Sequence, residues 1–224
     1  MGSGVVAEQD LRAADGRVPG RRGRATREKL LERTRQMLAN TSYRDLKVVD
    51  IAREAGTSPA TFYQYFPDVE AAILVLAERM SEDGTTRLPA FVRGRRWKGR
   101  AGYQTAEELV DGFLTFWEEY RPVIRVMEFA TEEGEPRFRG IRSRLLNEFT
   151  VALSEVIGAE KVEGRHPDDL DPYATAGVLA AMLAQVAGHR YGFEFWGIRT
   201  DDLRLSMTRI VFSTVTGQRP PRES

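Results

Sequence analysis

The chain has 224 residues and no cysteine, and 33 basic residues balance 33 acidic ones. A disulfide scaffold, a thiolate metal site and a cysteine nucleophile are therefore excluded. Hydrophobic residues at 42% and charged ones at 29% describe an ordinary globular chain, and zero net charge argues against a nucleic-acid partner only if the charges are evenly spread.

They are not. Up to Phe66 there are 12 basic residues against 8 acidic ones, a balance of +4, which leaves −4 for the remainder. The excess begins in residues 16–24, where four arginines stand among three glycines and a proline. Such a segment cannot fold alone, so residues 1–24 are expected to form a disordered basic arm. Either Arg22 and Arg24 lie in a DNA minor groove, whose narrow walls deepen the negative potential, or the arm is a solvated tail. No apolar stretch follows Met1, so no secretory signal is read and the expected location is cytoplasmic.

From Ala25 or Thr26 the pattern turns helical, with Leu30, Leu31, Thr34, Met37 and Leu38 on one stripe. Asn40-Thr41-Ser42 breaks it. A second short helix is expected over residues 48–55, closed by Gly56 in the left-handed conformation. Ser58 then caps a third helix and Pro59 opens it. Two short helices joined by so tight a turn must cross steeply, and Ala52 and Ala55 allow the close contact; this is a helix-turn-helix signature.

Phe62 and Phe66 fall four apart and anchor the third helix. Thr57, Ala60, Thr61, Tyr63, Gln64 and Tyr65 are left on its outer side or edges. Hydroxyls donate to phosphates and the Gln64 amide can pair with an adenine edge. The expected DNA-binding set is Arg22, Arg24, Arg27, Lys47, Thr57, Ser58, Pro59, Ala60, Thr61, Tyr63, Gln64 and Tyr65.

Asp50-Ile51-Ala52, Ala55-Gly56-Thr57-Ser58, Thr61-Phe62-Tyr63 and Tyr65-Phe66, followed by Asp68 as the cap of a fourth helix, resemble the TetR family of tetracycline-repressor-like bacterial regulators. The resemblance covers residues 26–80. Four positions depart from the family pattern: Ala60 stands for its usual Gly, Val69 for its usual Lys, and Lys47-Val48 where Thr is frequent. The missing lysine removes a phosphate partner, and Lys47 can replace the charge. The resemblance implies an all-helical dimer, with a variable C-terminal domain that binds a small effector and two final helices that form the dimer.

Periodicity beyond residue 80 agrees with that plan. Leu109, Val110, Phe113, Leu114 and Trp117 share one helical face, and Pro122 separates them from residues 123–129. Ile141, Leu145, Leu146, Phe149, Ala152, Leu153 and Val156 share another. The run between Asp171 and Arg190 is uncharged but short and weakly hydrophobic for a membrane span, so it reads as a buried helix over residues 172–191. A last helix is expected over residues 200–215. The Ala- and Gly-rich helix needs both faces buried, either as a central helix within one subunit or, as the resemblance implies, in a four-helix interface with a second copy.

An effector cavity is expected around Phe113, Trp117, Met127, Phe149 and Met182, with Glu128 or Gln185 orienting a polar group; aromatic walls favour a lipophilic or planar effector. The basic segment 93–100 reads first as a mobile connector. Its alternatives are a grip on an anionic effector such as an acyl-coenzyme A, or a contact with DNA flanks.

Enzymatic chemistry finds no constellation. His166 with Asp168, Asp169 and Asp171 reads as an acidic loop capping the next helix, not a metal site. Glu107/Glu108, Glu118/Glu119 and Glu132/Glu133 are adjacent on helices, so their side chains diverge. No metal or cofactor is expected. The whole reading is an all-α chain with a helix-turn-helix DNA-binding domain over residues 25–70, a helical effector-binding and dimerisation domain over 71–218 and a tail over 219–224. Its expected function is a dimeric repressor that binds a palindromic operator and is released by a small effector. The alternative is a helical carrier or sensor of lipophilic ligands whose helix-turn-helix does not bind DNA.

Overall fold

The computed structural model describes residues 20–221. Those residues form nine α-helices and no strand: α1 (Arg21–Leu38), α2 (Val48–Glu54), α3 (Pro59–Tyr65), α4 (Val69–Ala90), α5 (Gly99–Glu119), α6 (Arg121–Glu132), α7 (Pro136–Val162), α8 (Pro172–Phe195) and α9 (Thr200–Thr216). A short 3-10 turn, Tyr43–Asp45, lies between α1 and α2.

Local chemistry explains the first three helices. In α1 the buried stripe is Leu30, Leu31, Thr34 and Leu38, joined by Arg27. The Thr34 hydroxyl donates to the Leu30 carbonyl at 2.8 Å, so its burial leaves no open donor. Gly56 takes φ of 68° and ends the α2 turn, and the Thr57 N–H donates back to the Ala52 carbonyl at 2.9 Å. Ser58 caps α3, its Oγ accepting the Thr61 N–H at 3.2 Å, with Pro59 in the first helical turn. Asp68 caps α4 by accepting the Ala71 N–H at 2.7 Å.

The start of α1 differs from the expectation. Arg21, Arg22 and Arg24 are helical, not part of a disordered arm, because the Arg24 N–H already donates to the Gly20 carbonyl at 2.9 Å. Arginine is a strong helix former and one internal Gly23 costs only about 1 kcal/mol. The part of the expected arm up to residue 19, Arg17 included, lies outside the described residues.

The chain divides into two compact units. One comprises the described residues up to Arg79 together with Pro122–Arg139. There α2 packs against α1 and α3, and Leu30, Leu31, Ile51, Ala52, Phe62 and Phe66 form the core. The Phe62 and Phe66 rings lie 5.4 Å apart, and burying each contributes roughly 1.5–3 kcal/mol. The segment Pro122–Arg139 joins this unit through side chains the sequence does not advertise. Arg44 pairs with Glu133 and stands 4.6 Å over the Phe129 ring, and Arg137 pairs with Glu70.

The second unit comprises Met80–Arg121 and Gly140 onward. Here α5 packs against α8 and α9, and α9 against α8, around Leu109, Phe113, Phe116, Phe149, Leu183, Val211 and Phe212. Asp171 caps α8, its carboxylate accepting the Ala174 N–H at 2.6 Å. One face of α8 is buried through Ala176, Leu179, Ala180, Leu183, Ala184 and Ala187. The opposite face, with Val178, Ala181 and Gln185, is exposed, Val178 at 70%.

Candidate nucleic-acid interface and effector domain

The outer side of α3 carries no charged side chain. Ser58, Pro59, Ala60, Tyr63 and Gln64 are exposed, and Thr57, Thr61 and Tyr65 are half-buried at the edges. Tyr63 is 53% exposed although its ring meets the buried Phe62 edge-on at 6.0 Å. The Thr61 hydroxyl lies 3.0 Å from Ser58 Oγ, which ties the cap and a candidate phosphate donor into one small network.

Of the four cations expected to meet DNA, three are exposed and one is not. Lys47 precedes α2 and is exposed, as are Arg22 and Arg24 on the first turns of α1. No acidic residue lies in that first turn, so the helix N-terminus keeps its positive end uncompensated. Arg27 departs from the expected set: it is 3% exposed and its guanidinium stands 5.1 Å over the Phe66 ring. The reason is its position on the same stripe as Leu30, Leu31 and Thr34, which puts it inside the unit. Glu28, beside it, is gripped by Arg79 through two hydrogen bonds of 2.6 and 2.7 Å, and that guanidinium lowers its carboxyl pKa despite partial burial. Val69, where the resemblance expects lysine, is half-buried at the start of α4.

Residues expected around an effector fall in both units. Phe113 and Trp117 are stacked with ring centres 4.4 Å apart, Phe149 lies 5.4 Å from Phe113, and all three are buried in the second unit. Met182 is half-buried and Gln185 exposed in the same unit; Met127 is buried and Glu128 half-buried in the first. The Trp117 indole N–H is buried with no hydrogen-bond partner among the described residues. Tyr120 donates to Asp83 at 3.0 Å, and burial together with that carboxylate pushes its hydroxyl up to about 12.

No cluster of metal ligands occurs among the described residues, and none of their helices is long and apolar enough to cross a membrane. In the loop before α8, His166 Nε2 lies 3.2 Å from the Val215 carbonyl.

Two family models match the chain. The tetracyclin repressor-like C-terminal domain matches residues 88–222, and the N-terminal model of bacterial regulatory proteins of the tetR family matches residues 30–74. The chain belongs to the TetR family. It is a transcriptional regulator with a helix-turn-helix DNA-binding head and a ligand-binding C-terminal domain. It is 24% identical over 217 residues to the HTH-type transcriptional regulator EthR of Mycolicibacterium smegmatis, covering 96% of this chain and 98% of that one. In fold it is similar to the fatty acid degradation regulator FadR from Bacillus halodurans, with a TM-score of 0.63 at 16% identity over 91% of this chain and 99% of the other. Salmonella enterica GusR gives a TM-score of 0.59 at 18% identity over 86% and 94%. Regulators of this family bind DNA and small-molecule effectors and act as dimers.

Proposed function

We propose that the chain is a cytoplasmic repressor that binds a palindromic operator as a homodimer and leaves it when a small lipophilic or planar effector binds. The observation that carries the DNA reading is the outer face of α3, where Tyr63 and Gln64 are exposed on a helix anchored from below by Phe62. Each subunit lays that helix in a major groove, and two half-sites lie about one helical turn apart or somewhat more. Ser58, Pro59, Ala60, Thr57, Thr61 and Tyr65 support the docking, and Arg22, Arg24 and Lys47 neutralise phosphates; Arg27, being buried, is left out.

The dimer reading is supported by the exposed face of α8, where Val178 and Ala181 meet solvent, and by the half-exposed Ile210 on α9. Close approach of a second copy would cover both. The effector reading is supported by the Phe113, Trp117 and Phe149 cluster, whose indole N–H, without a partner among the described residues, offers one donor to a ligand acceptor; Met182 and Gln185, in the same unit, remain in the proposed set. A relative in fold whose name ties it to fatty acid degradation is in keeping with a lipophilic effector. A coupling of about 1–3 kcal/mol would change operator affinity by roughly 5- to 150-fold.

Val69 favours the second reading, a lipophilic-ligand carrier whose helix-turn-helix does not bind DNA, since a half-buried valine offers no charge to a phosphate. Selection of bound sequences from random DNA by the purified protein decides between them. Enrichment of an inverted repeat is the expected result, and recovery of unenriched DNA would leave the carrier reading standing.

A further inference from the structure

The segment joining α4 to α5 is tied to its neighbours by side-chain and backbone contacts. Trp97 is 5% exposed, and its indole N–H donates to the Val92 carbonyl at 3.3 Å. The Thr105 hydroxyl on α5 donates to the Arg96 carbonyl at 2.8 Å, and the Gly99 N–H donates to the Gln218 side-chain oxygen at 3.2 Å. Gly102 stands where any Cβ would collide with the Trp97 carbonyl, so α5 closes directly against the segment's backbone.

Together with α7 this segment lines an open cavity of about 690 Å³, a volume suited to a small ligand. Val92, Trp97, Ala101, Ala152, Val156 and Ala159 give it apolar walls. Arg93, Arg95, Arg96, Lys98, Glu155 and Glu160 supply its charges. Ion pairs dispose of four of these six: Arg93 binds Glu155 at 3.6 Å as well as Glu148 at 3.2 Å, Arg95 pairs with Glu108, and Glu160 with Arg165. Among the described residues the side chains of Arg96 and Lys98 have no partner. The start of α5, which borders the cavity through Lys98 and Ala101, has no acidic residue in its first turn, and its one side-chain cap is the neutral Gln218 on the Gly99 N–H, so its positive end adds to the same sign. None of the seven residues that the sequence suggests for the effector lines this cavity.

We propose that the cavity binds a small amphipathic anion, with a carboxylate or phosphate on Arg96 and Lys98 and an apolar body against Trp97, Ala152 and Val156. Two uncompensated cations beside an apolar wall match that class of molecule at both ends. Neutral lipophiles would leave the cations unused, and a bare inorganic anion would leave the wall wet. That the occupant releases DNA rests on the functional reading above; that it binds does not.

The test titrates the full-length protein with octanoate, octyl phosphate and 1-octanol by calorimetry, before and after the double substitution Arg96→Ala, Lys98→Ala. At least one anion is expected to bind about tenfold or more tightly than the alcohol, and the comparison of octanoate with octyl phosphate tells which headgroup fits. The double variant should lose that preference with its thermal unfolding unchanged, since both side chains are exposed. Ala159→Trp on the exposed wall should block all three ligands. Equal binding of alcohol and anions, no binding of either anion, or a preference that survives the double substitution each overturns the proposal. DNA affinity measured in parallel keeps the two readings apart: anion binding by a protein that selects no DNA sequence defeats the repressor and leaves this site intact.

Discussion

The guanidinium of Arg27 stands 5.1 Å over the centre of the Phe66 ring, inside the helix-turn-helix unit and away from its surface. A basic residue that sequence spacing assigns to phosphate thus holds the end of α3 against α1. Arg27→Ala should cost about 1–3 kcal/mol of stability, the sum of a lost cation–π contact and lost packing of the side-chain stem. Arg24→Ala should leave unfolding unchanged and weaken operator binding. Thermal denaturation of the two variants separates the roles; an Arg27→Ala protein as stable as its parent would contradict this placement.

On α3 the hydroxyl of Tyr63 and the amide of Gln64 are the groups to remove. Tyr63→Phe should weaken operator binding by about 1 kcal/mol. Gln64→Ala should cost about 1–3 kcal/mol and relax the preference at one base pair. Both side chains are exposed, so neither change should alter unfolding. Thr61→Ala is less clean, because its hydroxyl also meets Ser58 Oγ in the helix cap. Anisotropy titrations on the selected operator, with single base changes, provide the measurement.

Phosphate contacts make binding salt-dependent. The logarithm of the operator association constant should fall linearly with that of salt concentration, with a slope of about −0.9 per neutralised phosphate. Removing Lys47 or Arg22 should each reduce the slope by about 1. A slope that neither substitution changes would move the phosphate contacts elsewhere.

For the dimer, Val178→Asp places a charge in the middle of the exposed face of α8. Sedimentation should show a dimer for the parent chain and a monomer for the variant at micromolar concentration, with helicity retained. A dimeric variant would assign self-association to another surface.

Tyr120 offers a pH test. Its folded-state pKa of about 12 lies above the ordinary value of roughly 10, so the folded state holds the proton more tightly. The stability from this contact is complete below about pH 10 and is lost as pH rises toward 12. In an absorbance titration of the phenolates, Tyr120→Phe should remove a late-titrating tyrosine. Its stability curve should also be flatter over that alkaline window than that of the parent chain.

Much of the head could be read from local chemistry. Ser58, Pro59, Gly56 and Asp68 act within a few residues of themselves, through backbone groups whose partners are near in sequence, so their roles survive without knowledge of the rest. The aromatic pair Phe62 and Phe66 follows from helical spacing in the same way. The start of α1 at Arg21 is not legible in glycine and arginine composition, which says disorder; there the helix extends backward from its packed turns, with the Arg24 N–H bonded to the Gly20 carbonyl.

By itself, then, the sequence determined the helices, their caps and the polar outer side of α3, because these depend on contacts between residues close along the chain. Tertiary structure alone decided what depends on distant partners. It turned Arg27 inward onto Phe66, drew Pro122–Arg139 to the head through Arg44–Glu133 and Glu70–Arg137, and seated Trp97 beside α7. Charges that look alike in sequence separated there into paired ones, such as Arg93 and Arg95, and ones without a partner among the described residues, Arg96 and Lys98, because an ion pair requires a carboxylate brought within reach by the fold.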